Sequence, residues 1–397
     1  MNSKLFGSVL LIIGTTIGAG MLALPIATAQ IGFWYSSSLL IACWAIMTIS
    51  AFIFLEVNLW LPANSNLISM TERTLGNTAQ SIVWLIYLTL QYSILCAYIS
   101  GGADIFHYFI LTMGISISLK VSAVIFTCLF GYIVYGGIRF VDYFNRVLMF
   151  SKLGSLLFLI ICLMPFVFTS NLGNNAIHEV NLPSSLSILA VAFATIVIIP
   201  SLRTYFGDDI KSLRYAIFFG TLIPLVLYIA WNFVILGSIP LNGDHGMKQI
   251  IHSSNPTSDL IITVNALLKS NLVTILTKIF TSICMATSFL SISLSLSDFW
   301  ADGMSVKKEG KEKLVIFAIT FLPPLMIVLF YPGIFIHCLK YAGICCFILM
   351  IFLPPVMAWR GRYGQYLKGY RIPGGKFLLA FLMIFGIGMI GLGVSNV

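Results

Sequence analysis

Apolar residues run along this chain in blocks too long for the core helix of a small soluble domain, and polar positions gather between the blocks. Eleven such stretches occur, at about residues 5–30, 34–60, 79–103, 118–136, 146–168, 184–205, 214–237, 271–297, 313–331, 334–358 and 376–395. A helix needs roughly 20 apolar residues to cross about 30 Å of hydrocarbon. Each block comes close to that length or exceeds it. The alternating ten-residue segments of an outer-membrane barrel do not occur. The pattern predicts an all-α membrane protein of eleven transmembrane helices with no soluble domain. The longest polar interval, about 238–270, ends in NPTSDLIITVNALLKS, where Leu260, Ile261, Val264, Leu267 and Leu268 recur at helical spacing. That spacing predicts a short amphipathic helix over the outer mouth of the bundle, with an irregular loop as the alternative.

Composition and charge fit this class. The 397 residues are 59% hydrophobic and 9% charged, with a mean hydropathy of +1.00, which excludes a water-soluble globule. The net charge of +9 comes from basic residues scattered among short loops, so it reads as a topology signal and not as a nucleic-acid surface. With the N-terminus in the cytoplasm, five of the 22 Lys and Arg residues (Lys120, Lys248, Lys269, Lys278 and Lys340) fall on the outer side and the other seventeen on the inner. The bias predicts a cytoplasmic N-terminus and an outward C-terminus. The eight cysteines lie within the spans without a CxxC pair and matching histidines, and read as small packing residues; no metal or cofactor is implied. Lys4, an apolar run and IATAQ imitate a secretory leader. The run of about 22 residues exceeds the usual leader core of about 7–15, so it is read as a retained span.

Within the first span lies GTTIGAGMLALP, Gly14 to Pro25. Three glycines and two threonines in seven residues predict an interrupted helix. In hydrocarbon an interruption is tolerated only where protein, water or a ligand replaces the lost backbone hydrogen bonds. Amides after the break, near Gly18, Ala19 and Gly20, would face a cavity with the positive end of a half-helix behind them, which suits a carboxylate. Carbonyls before it, near Thr15 and Thr16, would suit an ammonium or a small cation. Close packing against a neighbouring helix also explains the glycines, but not their clustering with the two threonines. The sixth span, AVAFATIVIIPSLRTYFG, carries Thr195, Pro200 and Ser201. Spans one and six would then be the corresponding positions of two five-span repeats, inverted because an odd number of spans, five, separates them, as in many secondary transporters.

Ionisable residues inside spans are functional suspects. Glu56 lies toward the inner end of span two, as an ion-coupling group or a solvated interfacial charge. Lys152 and Asp298 are expected near the inner interface, with Lys152 snorkelling, and Asp104, His107 and Lys340 near the outer surface. Span eight carries a ladder of hydroxyls, Thr287, Ser288, Ser291, Ser293, Ser295 and Ser297. Such hydroxyls either coordinate a cation or bond across helices.

Several stretches together resemble the bacterial aromatic amino acid permeases, the tyrosine- and tryptophan-specific type within the amino acid/polyamine/organocation superfamily. They are GTTIGAGMLALP, FLEVNLWLPANSNLISMTERTLG, GTLIPLVLYIAWNFVILGSIP, ATSFLSISLSLSDFWADG, TFLPPLMIVLFYPGIFIHCLKYAG and FLPPVMAWR. The resemblance implies a five-plus-five inverted-repeat (LeuT-like) fold with repeats at 1–168 and 184–358 and an additional helix at 376–395. It further implies an inner-membrane permease importing an aromatic amino acid, tyrosine foremost, by proton symport. It puts the substrate carboxylate at Gly18, Ala19 and Gly20, with Phe193, Ala194 and Thr195 completing the pocket. In sodium-coupled relatives a cation sits between spans one and eight; the similar positions here are Gly14, Ile17, Thr287 and Ser288, so sodium is the alternative coupling ion.

The sixth span departs from the family. FATIVIIPS keeps Pro200 and Ser201 but lacks the family's glycine-rich run and its histidine, leaving Thr195 as the one evident polar partner for a phenol hydroxyl. A differently specific neutral amino acid permease, and a channel or sensor of the same fold, are the rival readings. An intramembrane enzyme would need clustered His or carboxylates at the midplane, and the five histidines are scattered.

Overall fold

The computed structural model describes residues 3–63, 65–136, 138–173, 182–207, 209–243, 246–253, 256–268, 271–304, 306, 310–365 and 369–395. At residues 3, 4, 19, 138–147, 268 and 271 the backbone alone is described. Every regular element among the described residues is helical. The chain runs α1 (Ser3–Thr16), α2 (Ala19–Thr28), α3 (Phe33–Leu59), α4 (Leu67–Leu75), α5 (Asn77–Thr112), α6 (Leu119–Tyr135), α7 (Ile138–Leu163) and α8 (Thr169–Gly173). It continues with α9 (Leu182–Ala192), α10 (Ile199–Phe206), α11 (Ile210–Ser238), α12 (Met247–His252) and α13 (Pro256–Leu268). The last five are α14 (Asn271–Met304), α15 (Gly310–Phe330), α16 (Phe335–Cys346), α17 (Leu353–Trp359) and α18 (Gly375–Val394).

Nine helices among the described residues are long and apolar enough to span a bilayer, and ten if the bent pair α1 and α2 counts as one. The remaining apolar stretch, α6, has 17 residues. At 1.5 Å per residue it reaches about 25 Å, short of the hydrocarbon thickness. Helix starts follow local chemistry. Asn66 and Ser69 form a reciprocal capping box at α4, Ser118 Oγ accepts the Val121 amide at α6, and Asp209 accepts the Ser212 amide at α11. The Ser212 hydroxyl and amide hold the Asp209 carboxyl below its ordinary value.

Prolines inside spans leave carbonyls four residues earlier without a helix donor. Neighbouring helices supply the replacements. Pro323 frees the carbonyl of Ile319, to which Tyr92 Oη donates at 2.6 Å; Pro354 frees that of Met350, to which Ser50 Oγ donates at 2.5 Å. The residues before Pro354 widen into a π-helical turn, Phe347–Phe352, that joins α16 to α17. The interhelical hydroxyls therefore lock α5 to α15 and α3 to the α16–α17 span. In the centre, α1 packs on α11, α2 on α9, and α14 on both α5 and α7. Between these helices lie the two interruptions that define the site.

Candidate functional site: the paired helix breaks

The first span is interrupted as its glycines predict. Ile17 and Gly18 separate α1 from α2, whose axes differ by 54°. Gly18 is the N-cap of α2, in extended backbone. A β-carbon there would collide with Ser288 Oγ, with Tyr98 Oη also close by, so only glycine admits this approach of backbone to hydroxyl. The first turn of a helix leaves its N–H groups without intrahelical acceptors, so the amides of Ala19 and Gly20 are aimed at the break from the positive end of α2.

The carbonyl side of the break is claimed by the protein itself. Lys152 of α7 is 1% exposed, and its ammonium donates to Gly14 O at 3.0 Å, Ile17 O at 2.6 Å and Thr287 Oγ1 at 3.4 Å. Three donors meet three acceptors. The expectation that Lys152 snorkels to the inner interface is therefore corrected: its stem is long enough to reach from α7 to the unwound carbonyls. Tyr228 of α11 takes the next carbonyl, its hydroxyl shared between Thr16 O at 2.7 Å and Ala192 O at 3.1 Å. Those are the last residues of α1 and α9, so one phenol proton serves both broken ends. The hydroxyls of Thr15 and Thr16 bond back to Ile12 O at 2.9 and 2.7 Å and stay with α1.

The sixth span is interrupted too, by different means. α9 ends at Ala192, Phe193–Thr195 leave the helix, and a 3₁₀ turn, Ile196–Ile198, leads into α10 with Pro200 in its first turn. The two breaks approach each other: a β-carbon on Gly20 would stand 3.7 Å from Ala192 Cα, ordinary contact.

A cavity of about 300 Å³ lies against both. That is the low end of the range for small-molecule sites, about 300–1,000 Å³. Of the residues expected to bind substrate, Thr15, Thr16, Gly20 and Ala194 line it. Gly18, Phe193 and Thr195 do not. Phe193 turns to the far side, its ring edge-on to Tyr228 at 5.5 Å between centroids, and Thr195 is buried, its amide bonded to Phe193 O at 2.8 Å. Unwinding the chain at Phe193 sends Ala194, Val197 and Ile198 to the cavity wall instead. A second cavity of about 600 Å³ shares Gly14, Thr15, Ser201, Thr287 and Ser291 with the first and extends past Gly7, Ser8 and Tyr205. Together they form a path from the breaks toward the end of the bundle where α1 begins and α10 ends.

Of the cation candidates, Gly14, Ile17 and Thr287 meet around Lys152, and Ser288 sits one residue on, against Gly18. Glu56 does not join them. It is fully buried, accepts Arg362 Nε at 2.7 Å, Arg362 Nη2 at 2.5 Å and the Ile372 amide at 2.7 Å, and clamps α3 to the chain after α17. A solvated interfacial charge at Glu56 is thereby corrected, and ion coupling there would first have to break a bidentate pair. Asp104, expected near the outer surface, is buried there against α13: it accepts the Ser258 amide at 3.0 Å, Ser258 Oγ at 2.7 Å and the Thr257 hydroxyl, holding the start of that helix. The amphipathic helix is formed as its spacing predicts, with Leu260, Ile261 and Val264 buried.

The sequence reading missed Tyr87, Gln91 and Tyr98 of α5, which line the cavity opposite α1, and Tyr228. Gln91 had a signal: an amide in the middle of an apolar span is as costly unpaired as a charge is conspicuous.

The family model of the tryptophan/tyrosine permease family matches residues 1–392, nearly the whole chain. The chain belongs to the tryptophan/tyrosine permease family. This permease is 32% identical over 389 residues to the tyrosine-specific transport system 2 of Haemophilus influenzae, covering 98% of this chain and 95% of the relative. It is equally 32% identical, over 395 residues and 98% of both chains, to glutamine transporter 2 of Aliivibrio fischeri. The tryptophan-specific transport protein of Shigella flexneri is 27% identical over 393 residues, covering 98% of this chain and 94% of the relative. The family is one of transport proteins, not enzymes, and the permease is a multi-pass membrane protein.

Proposed function

We propose that the permease imports an aromatic amino acid, tyrosine foremost, across the bacterial inner membrane by proton symport with alternating access. The observation that carries the coupling is Lys152, whose ammonium occupies the place between α1 and α14 where sodium-coupled relatives hold a free cation. A tethered ammonium carries its own exchangeable proton. Once deprotonated, it has two donors for three acceptors, so one contact to the unwound carbonyls is lost and α1 loosens from α7. One charge moving through 100 mV is worth about 2.3 kcal/mol, enough for useful accumulation.

The substrate carboxylate binds the amides at the start of α2 (Gly18, Ala19 and Gly20), Ala194 closes the opposite side, and the ring extends between α5 and α14. Two five-span inverted repeats, 1–168 and 184–358, followed by the helix at 376–395, account for breaks at the first and sixth positions; α6 completes eleven spans. With the N-terminus cytoplasmic and the C-terminus periplasmic, the path from the breaks opens inward and α13 covers the outer end, an inward-facing state. A second reading, a substrate bearing a carboxamide, is favoured by the equal identity to the relative named a glutamine transporter and by an amide, Gln91, in the cavity wall.

Reconstituted protein tests both. Radiolabelled tyrosine should accumulate under an imposed inward proton gradient, collapse with a protonophore, and ignore sodium. Accumulation driven by sodium, or indifferent to the protonophore, overturns proton symport; glutamine uptake without tyrosine uptake selects the second reading.

A further inference from the structure

The wall of the cavity formed by α5 and α14 carries two polar pairs in register. Tyr98 and Ser288 interact beside Gly18, where the backbone of α2 begins. Seven residues away on each helix, Gln91 Nε2 donates to Ser295 Oγ at 2.8 Å, and Tyr87, one turn from Gln91 on α5, lines the same wall. At 1.5 Å per residue the two pairs stand about 10 Å apart along the helices. Between them α5 presents Ile94, and α14 presents Ile292 and the hydroxyl-bearing Ser291.

Gln91 is 2% exposed, so its amide is a buried polar group in the cavity wall, and the one carboxamide among the lining residues. Packing does not require it: a leucine would fill the same volume without a partner to satisfy. Ser295 takes one amide donor and fixes the orientation of the carboxamide, and a carboxamide presents a carbonyl acceptor as well as its amide donors.

We infer that Gln91 is the specificity-determining residue for the far end of the substrate side chain: its carboxamide accepts the hydrogen bond of a phenol hydroxyl, with Ser295 as the positioning residue. This rests on the aromatic reading of the cavity proposed above. The length from the backbone site to Gln91 suits a para-hydroxylated ring better than a short side chain. It also relocates the polar partner that the sixth span lacks, since Thr195 is not among the residues that line the cavity. A site built to hydrogen-bond a hydroxyl rejects the analogue without it, because its buried polar group is then left unpaired; an apolar pocket discriminates far less.

Competition between radiolabelled tyrosine and phenylalanine in proteoliposomes tests the assignment. Wild-type protein should prefer tyrosine. Gln91→Leu should cut the tyrosine/phenylalanine ratio of kcat/KM by about tenfold or more, through a higher KM for tyrosine with phenylalanine uptake retained, which also shows that the variant folds. Ser295→Ala, which frees the carboxamide without removing it, should shift the ratio the same way by less, and covers the case in which Gln91→Leu does not fold. An unchanged ratio in both variants overturns the role of Gln91 while leaving aromatic transport standing. A wild-type protein that takes up glutamine and neither aromatic acid overturns the aromatic reading itself.

Discussion

The two helix breaks do the same job with opposite chemistry. In the first span the chain is opened by glycine, and its stranded carbonyls are taken by groups from elsewhere: Lys152 for Gly14 and Ile17, Tyr228 for Thr16. In the sixth, β-branched and aromatic residues line the break, a 3₁₀ turn keeps bonds local, and Tyr228 supplies a long-range donor, to Ala192. The first break is thus held by a titratable group and the second by packing. On the proposed reading, the first break is where a proton gradient acts and the sixth is where substrate shape is read.

On that division, Lys152→Met should have the largest effect. It leaves two buried carbonyls and a threonine hydroxyl without their donor, at about 1–3 kcal/mol each, and should abolish gradient-driven accumulation. Flux assays alongside thermal unfolding check it, and accumulation that survives the substitution would remove the first break from coupling. Tyr228→Phe comes next, because it strips the shared donor from both breaks at once, for about 1–3 kcal/mol. Its effect on thermal stability should exceed that of Phe193→Leu, which changes packing alone; the reverse order would mean that ring contacts, not the phenol, join the breaks.

Gly18→Ala sharpens the contrast further. Its β-carbon runs into Ser288 Oγ, an overpacking of about 1–3 kcal/mol, and Ser288→Gly in the same chain should restore much of the lost tyrosine uptake. Gly20→Ala meets only ordinary contacts, so its KM should move less. The smallest effect belongs to the sixth break: Val197→Ala removes methyl groups from a residue that is 42% exposed and should change stability by no more than about 0.5 kcal/mol. If its tyrosine uptake nevertheless falls as far as that of Gly18→Ala, the two breaks are equals in binding.

Outside the site, the ion pair of Glu56 and Arg362 is a useful reference. Both side chains are buried, at 0% and 2% exposure, but remote from the breaks. Glu56→Gln should lower thermal stability by about 3–5 kcal/mol, the usual cost of leaving one member of a buried pair alone. Proton dependence of uptake should persist in whatever folds, and its loss would make Glu56 part of coupling after all.

Glycine clustering marked the first break without any tertiary information, because a helix interior tolerates three glycines in seven residues only where it is meant to open. The sixth break was legible through Thr195 and Pro200, but the residues that turn inward were not: unwinding at Phe193 changes which positions share a face, and helical spacing no longer applies. Lys152 was visible as an intramembrane charge yet misplaced, since a four-carbon stem reaches either interface or core and only packing of α7 against α14 decides. Gln91 and Ser295 lie 204 positions apart, a distance over which no local pattern speaks.

The sequence by itself determined that this chain is a bundle of apolar helices, where its first helix opens, and which family it resembles. These are local properties, written in run length, glycine content and motif. Which donors close the opened backbone, and which side chains face the cavity, were decided only in the tertiary structure. The reason is physical: in hydrocarbon a polar group that its own helix does not satisfy must find its partner across a helix interface, and an interface is a property of two segments that the chain holds far apart.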